Sequence, residues 1–154
     1  MKIIVPVGDF KFGVKGDIFH TDGIGSCVVI VLYERFTKTG IMLHSILPNY
    51  ISNSRPNSFL KYVDSGIYIA LSDLYRQTSK RDIVAKITGG AKLTDIGNKN
   101  IGFENIISAK KILNEENISI ISEDTGGDFG RVCEFDLNTG NMHINTLLRG
   151  EYII

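Results

Sequence analysis

Apolar and polar positions alternate along this chain in two rhythms, and the change of rhythm divides it. Early segments are short and carry apolar residues either continuously or at every second position, the signature of strands. Ile3–Val7 reads as a first strand, Gly8–Gly16 as a glycine-rich turn region, and Asp17–Thr21 as a second strand. Cys27–Arg35 and Ile41–Leu47 are two apolar runs joined by Thr37-Lys38-Thr39-Gly40, which predicts a hairpin. The first run is continuous and rich in Val and Ile, so it is expected to be buried on both faces. Asn49–Ser58 is polar and reads as a surface loop containing Ser52, Asn53 and Ser54. From there the period lengthens to that of a helix. Leu60, Val63, Ile67, Ala70, Leu71 and Leu74 form one stripe, opposite Lys61, Ser65, Ser72 and Arg76, which predicts a helix over 59–77 capped by Asn57 or Ser58.

A strand over Ile83–Thr88 ends on Gly89-Gly90, and a polar stretch leads to a second helix over 103–115. Its apolar side is Phe103, Ile106, Ile107, Ile112 and Leu113; Glu104, Ser108, Lys111 and Glu115 form the wet side. Ile118–Ser122 alternates as a half-buried strand, and Val132–Leu137 and Met142–Leu147 flank Asn138-Thr139-Gly140 as a hairpin. Strands with two helices set among them predict an α+β, mixed α/β layered sandwich. At 154 residues the chain reads as a single domain over 1–154.

Composition narrows the partners. Seventeen basic and seventeen acidic residues give no net charge, so there is no nucleic-acid footprint and no basic membrane patch. The apolar start at Met1–Pro6 is too short for a signal peptide, and no run approaches a membrane span. Cys27 and Cys133 are expected to be free thiols in a reducing cytoplasm.

Candidate chemistry sits around Thr21-Asp22-Gly23-Ile24-Gly25-Ser26-Cys27. Cys27 stands where a glycine-rich loop meets a buried strand, and Gly25 and Ser26 bring backbone N–H groups close to it, a place for an oxyanion. His44 lies on the neighbouring strand of the hairpin, so a Cys-His nucleophile is within reach. Read singly, each has a plainer alternative: Cys27 as a small buried apolar residue, His44 as a core histidine, Thr21 as a strand residue. Cys133 shares an apolar strand face with Phe135 and Leu137 and is expected in the core; His20 and His143 are expected at the surface. Gly-Ile-Gly-Ser-Cys is not a dinucleotide-binding turn, because it leads into a strand instead of a helix. No metal-ligand spacing is present.

The ordered motifs T-x-G-I-G-S-C-V, G-I-M-L-H-x-x-L-P, A-K-I-T-G-G-A, I-G-x-x-N and E-D-T-G-G-x-x-G-R resemble the chemoreceptor glutamine deamidase family, CheD. The resemblance runs from about Thr21 to Gly140. It implies a catalytic triad of Cys27, His44 and Thr21, no cofactor and a cytoplasmic monomer. The implied substrate is the cytoplasmic domain of chemoreceptors, and the chemotaxis phosphatase CheC is an implied partner. It also leaves a second reading, a non-catalytic adaptor that docks on receptors or on CheC. For the enzyme, His44 is expected to take the proton from Cys27, a thiolate paired with an imidazolium having its pKa lowered. Gly89-Gly90, Gly97, Asn100, Gly126-Gly127 and Arg131 are expected in loops bordering the cleft. The sequence departs from the family at Leu43, where alanine is common, and at Lys92-Leu93-Thr94, where Met-Phe is usual. The first is expected to reshape the pocket, the second to alter partner contacts.

Overall fold

The computed structural model describes residues 1–51, 56–94 and 99–154; Ser52, Asn53, Ser54 and Gly97 lie outside them. Two five-stranded sheets and two helices stack as three layers, the α+β sandwich expected from the pattern. The first sheet runs β1 (Lys2–Ile4), β3 (Ile18–Ile24), β8 (Arg131–Asp136), β9 (Asn141–Thr146), β10 (Gly150–Ile153). The second runs β2 (Asp9–Gly13), β5 (Thr39–Ser45), β4 (Val28–Glu34), β6 (Ile83–Gly89), β7 (Ser119–Thr125). Helices α1 (Val63–Gln77) and α2 (Ile101–Glu115) cover the second sheet's outer side.

β4 lies at the centre of the second sheet and is buried along its whole length. Val28, Ile30 and Leu32 pack under the helices, whereas Val29, Val31 and Tyr33 face the first sheet. Both faces are dry, which is why the segment carries apolar residues at every position and not at alternate ones. At about 1.5–3 kcal/mol for each large apolar side chain removed from water, these two faces anchor the molecule. β4 pairs antiparallel with β5 in unbroken register from Val28↔Ser45 to Glu34↔Thr39, so the expected hairpin is present. Lys38 closes it at φ 56°.

Several boundaries differ from the pattern. The segment over Gly8–Gly16 holds strand β2, which pairs with β5 from Asp9↔His44 to Gly13↔Gly40; its flanking glycines mask an alternating Phe10-Lys11-Phe12. β10 closes the first sheet at Gly150–Ile153 and carries no distinct apolar run. Residues 56–61 form a 3-10 turn, so α1 starts at Val63 with Tyr62 at its N-cap position, beyond the expected Asn57 or Ser58. On α2, Phe103 (57% exposed) and Ile107 (49%) face outward, and Ser108 (5%) is buried, the reverse of the expected faces. Arg131 opens β8 instead of lying in a loop. Among the described residues, no helix is long and apolar enough to cross a membrane.

Candidate active site

Thr21 and His44 reach each other across the gap between the two sheets. Thr21 stands on β3 of the first sheet, paired with Cys133 on β8. His44 stands on β5 of the second, on the face that carries Met42 into the space between sheets. Thr21 Oγ1 lies 2.7 Å from His44 Nδ1 and 2.8 Å from the Val5 carbonyl oxygen. A carbonyl only accepts, so the single hydroxyl proton of Thr21 goes to Val5. Thr21 must then accept from His44, which places the ring proton on Nδ1. Nε2 is left with a free lone pair. Nε2 is buried and has no hydrogen-bond partner among the described residues.

His44 is fully buried. Desolvation lowers its pKa to about 4, against a weaker opposite pull from the Asp22 carboxylate. At neutral pH the ring is therefore uncharged. Burial likewise pushes the Cys27 thiol up, with its own backbone N–H acting in the opposite direction. Both shifts favour the uncharged thiol and the uncharged imidazole. Both groups are desolvated, and the imidazole's hydrogen-bonded neighbour is a hydroxyl, which offers no compensating charge.

Cys27 is half-buried and lies one residue before the ladder begins. By the β4–β5 register, His44 sits directly opposite Val29, two residues along the chain from Cys27. β3 reaches this loop through a register break between Thr21 and Ile24, where Gly23 takes φ 63°. That left-handed conformation suits glycine and turns the chain from the first sheet towards the second.

Three carbonyls of the loop are held. Gly25 O accepts from Ala91 N at 3.0 Å, and Cys27 O accepts from Gly90 N at 2.7 Å. Ser26 O accepts from Asn105 Nδ2 at 2.8 Å. Among the described residues the peptides are trans, so each anchored carbonyl aims the N–H that follows it the opposite way. The Ser26 N–H is thus turned away from Ala91 and the Cys27 N–H away from Asn105. Gly89 must be glycine here: its φ is 106°, and a Cβ would lie 2.3 Å from the Cys27 carbonyl oxygen.

Sequence reasoning passed over Asn105. It is fully buried on α2, and its amide also donates to Ile46 O at 2.9 Å. One turn on, Ser108 Oγ lies 2.8 Å from Pro48 O and 3.0 Å from Asn49 Oδ1. The available signal was an I-G-x-x-N repeated at 101–105, directly after the copy at 96–100. In the second copy a Cβ on Gly102 would meet the carbonyls of Gly90 and Ala91 at 2.4 Å. Asn100 caps α2, accepting from Phe103 N at 3.0 Å. Arg131 is 3% exposed and pairs with Asp124 at 2.9 Å. Leu43 is buried under α1 on the face of β5 opposite His44, so it does not reshape the site. Leu93 is 55% exposed and packs on Gly25.

Cys133 is fully buried between the sheets, and desolvation raises its pKa strongly. His143 is exposed; His20 is half-buried on the outer face of the first sheet, 2.9 Å from Glu134. Neither shares the inner face with Cys27. Among the described residues, no three of His, Cys, Asp and Glu converge as a metal site.

A thiol at a loop edge and an imidazole with one nitrogen fixed and the other free are the kinds of group that attack on a carbonyl carbon calls for. Comparison with known proteins agrees with that class. Residues 46–146 match the family described as CheD chemotactic sensory transduction. A probable chemoreceptor glutamine deamidase CheD 1 of Methanosarcina acetivorans is 37% identical over 153 residues, spanning 99% of this chain and 96% of the relative. A probable chemoreceptor glutamine deamidase CheD of Methanosarcina barkeri is 44% identical over 136 residues, spanning 87% of this chain and 89% of the relative. One from Thermococcus kodakarensis is 35% identical over 157 residues, spanning 99% and 98%. The chain belongs to the CheD family.

Proposed function

We propose that this protein deamidates glutamine side chains of chemoreceptor cytoplasmic domains, with Cys27 as nucleophile, His44 as base and Thr21 as the residue that fixes the ring. The observation that carries the reading is the Thr21–His44 bond, which leaves a buried, uncharged Nε2 on a residue opposite Val29, two residues from Cys27. His44 takes the thiol proton as sulfur attacks the amide carbon, so charge develops only in the transition state. The Cys27 N–H receives the oxyanion, a donor of this kind being worth about 2.7–4 kcal/mol. The imidazolium then protonates the departing nitrogen, C–N breaks, and ammonia leaves a thioester. Water, deprotonated by His44, attacks the thioester and releases glutamate and the thiol. Each turnover converts a neutral side chain to a carboxylate, which retunes a helical receptor by charge.

The deciding experiment incubates the protein with a glutamine-containing receptor cytoplasmic fragment and reads its peptides by mass spectrometry. Conversion of particular glutamines to glutamate, absent with Cys27→Ala, supports the reading. Tight binding to the receptor or to CheC with every glutamine intact overturns it in favour of an adaptor.

A further inference from the structure

The β4–β5 ladder ends abruptly beside the site. Its last rung is Val28↔Ser45; the next residues in register, Cys27 and Ile46, leave the pairing. Beyond that rung β5 turns away, because Ile46 N and Leu47 N both donate to Lys61 O, at 2.8 and 2.9 Å. Two carbonyls, Ser26 O and Ile46 O, are left facing the split with no strand partner between them. Asn105 fills it with the two hydrogens of one amide nitrogen, at 2.8 and 2.9 Å. Its own Oδ1 is buried with no hydrogen-bond partner among the described residues. A buried amide oxygen without a partner is destabilising, so stability alone does not account for an asparagine here.

We infer that Asn105 is a positioning residue for the reaction at Cys27: its amide splints the opened strand ends and sets the direction of the Ser26–Cys27 peptide. This inference rests on the reading of Cys27 given above. The chemistry of the side chain is specific. Bridging two carbonyl oxygens needs two donors on one atom, which an amide supplies. Aspartate would place oxygens against oxygens, and serine has one hydrogen. By holding Ser26 O, the amide turns the Cys27 N–H towards the sulfur side, where the oxyanion forms. By holding Ile46 O, it ties that donor to the strand two residues from His44. Nucleophile, oxyanion donor and base are thereby kept at one spacing by a residue that touches none of the reacting atoms.

The test compares Asn105→Ala with Ser108→Ala, a neighbouring buried polar residue of α2 that anchors Pro48 and Asn49 away from Cys27. Both variants are expected to lower Tm. On the receptor fragment, Asn105→Ala should lose about 100-fold in kcat with KM within about twofold, the mark of misplacement rather than weakened binding. Ser108→Ala should keep kcat within about twofold of the parent. A kcat in Asn105→Ala no lower than in Ser108→Ala overturns the inference. A second readout does not depend on deamidation. The pH midpoint of Cys27 alkylation by iodoacetamide in the native protein should rise in Asn105→Ala, because the backbone N–H leaves the sulfur. An unchanged midpoint overturns the inference, even if the parent proves inactive on receptors and the deamidase reading falls by itself.

Discussion

The two ends of strand β4 hold polar groups in equally dry surroundings and treat them in opposite ways. At one end Glu34 is fully buried, and its carboxylate accepts from Thr37 N at 2.7 Å, Asp82 N at 3.2 Å, Phe36 N at 3.3 Å and the Thr37 hydroxyl. At the other end His44 and Asn105 are as deeply buried, yet His44 Nε2 and Asn105 Oδ1 have no partner among the described residues. A saturated carboxylate closes a turn and serves stability. An imidazole with one nitrogen fixed and one free is poorly suited to stability and well suited to moving a proton. One strand thus separates a structural end from a chemical end, about 20 Å apart along a seven-residue ladder.

Substitutions should divide along the same line. The largest effects belong to the chemical end: Cys27→Ala and His44→Ala should each cut receptor deamidation by at least about 10³-fold while far-UV and near-UV spectra stay native. Folded His44→Ala protein with a near-parental rate of thioester formation would break the comparison. Thr21→Val keeps the shape but removes the acceptor for the ring N–H, so the imidazole is free to take the wrong tautomer. About 10²-fold should be lost from kcat with receptor affinity retained. Unchanged kcat would return Thr21 to the role of an ordinary strand residue.

The thiols give a smaller but cleaner contrast. Cys27 should be alkylated by iodoacetamide in the native protein and Cys133 only after unfolding, since one is half-buried and the other fully enclosed. Equal native labelling would remove the distinction.

Proton linkage separates the two ends again. His44 titrates at about 4 in the native protein against 6.5 as a free side chain. Between those values the unfolded chain binds the extra proton, so stability falls as pH drops from 6.5 towards 4. His44→Gln should flatten urea-unfolding curves across that window. Burial pulls the Glu34 carboxyl up, but the hydrogen bonds from Thr37, Phe36 and Asp82 outweigh it, and the net shift is below its ordinary 4.5. Its contribution is therefore complete above that value and is lost as pH falls through the lowered one. Glu34→Gln should cost about 1–3 kcal/mol at neutral pH, since an amide NH2 would oppose the donors. The same variant should leave kcat untouched; a parallel loss of activity would show that the two ends are coupled.

What could be read from the chain follows from what periodicity records. The continuous run over Val28–Tyr33 announced a strand with two dry faces, and the stripe from Val63 to Leu74 announced a helix on one of them. Cys27 and His44 could be paired because a short turn joins their strands. That Thr21 meets His44 could not be derived from faces, because it depends on which sheet docks on which. The motif resemblance supplied the grouping, and the inter-sheet gap supplies its physical basis. Asn105 and Ser108 escaped because a buried polar residue with a partner looks, in a pattern, like a solvated one. Phe103 and Ile107 misled in the reverse sense, as exposed apolar residues on the outer side of α2. β2 was hidden by glycines that turned out to flank a strand.

The division of Thr21 and His44 between two sheets has a consequence for the order in which the site is assembled. The strands that carry Cys27 and His44 belong to one local hairpin, and that pairing closes a short loop. Thr21 is held by β8, whose Cys133 lies more than a hundred residues further along the chain. Loop closure over such a distance is slow, and it waits for most of the polypeptide to be made and folded. The strands of Cys27 and His44 are therefore expected to pair early in folding, while the ring remains free to carry its proton on either nitrogen. The tautomer is fixed last, so a chain caught part-way through folding holds both reactive groups but not the proton arrangement they need.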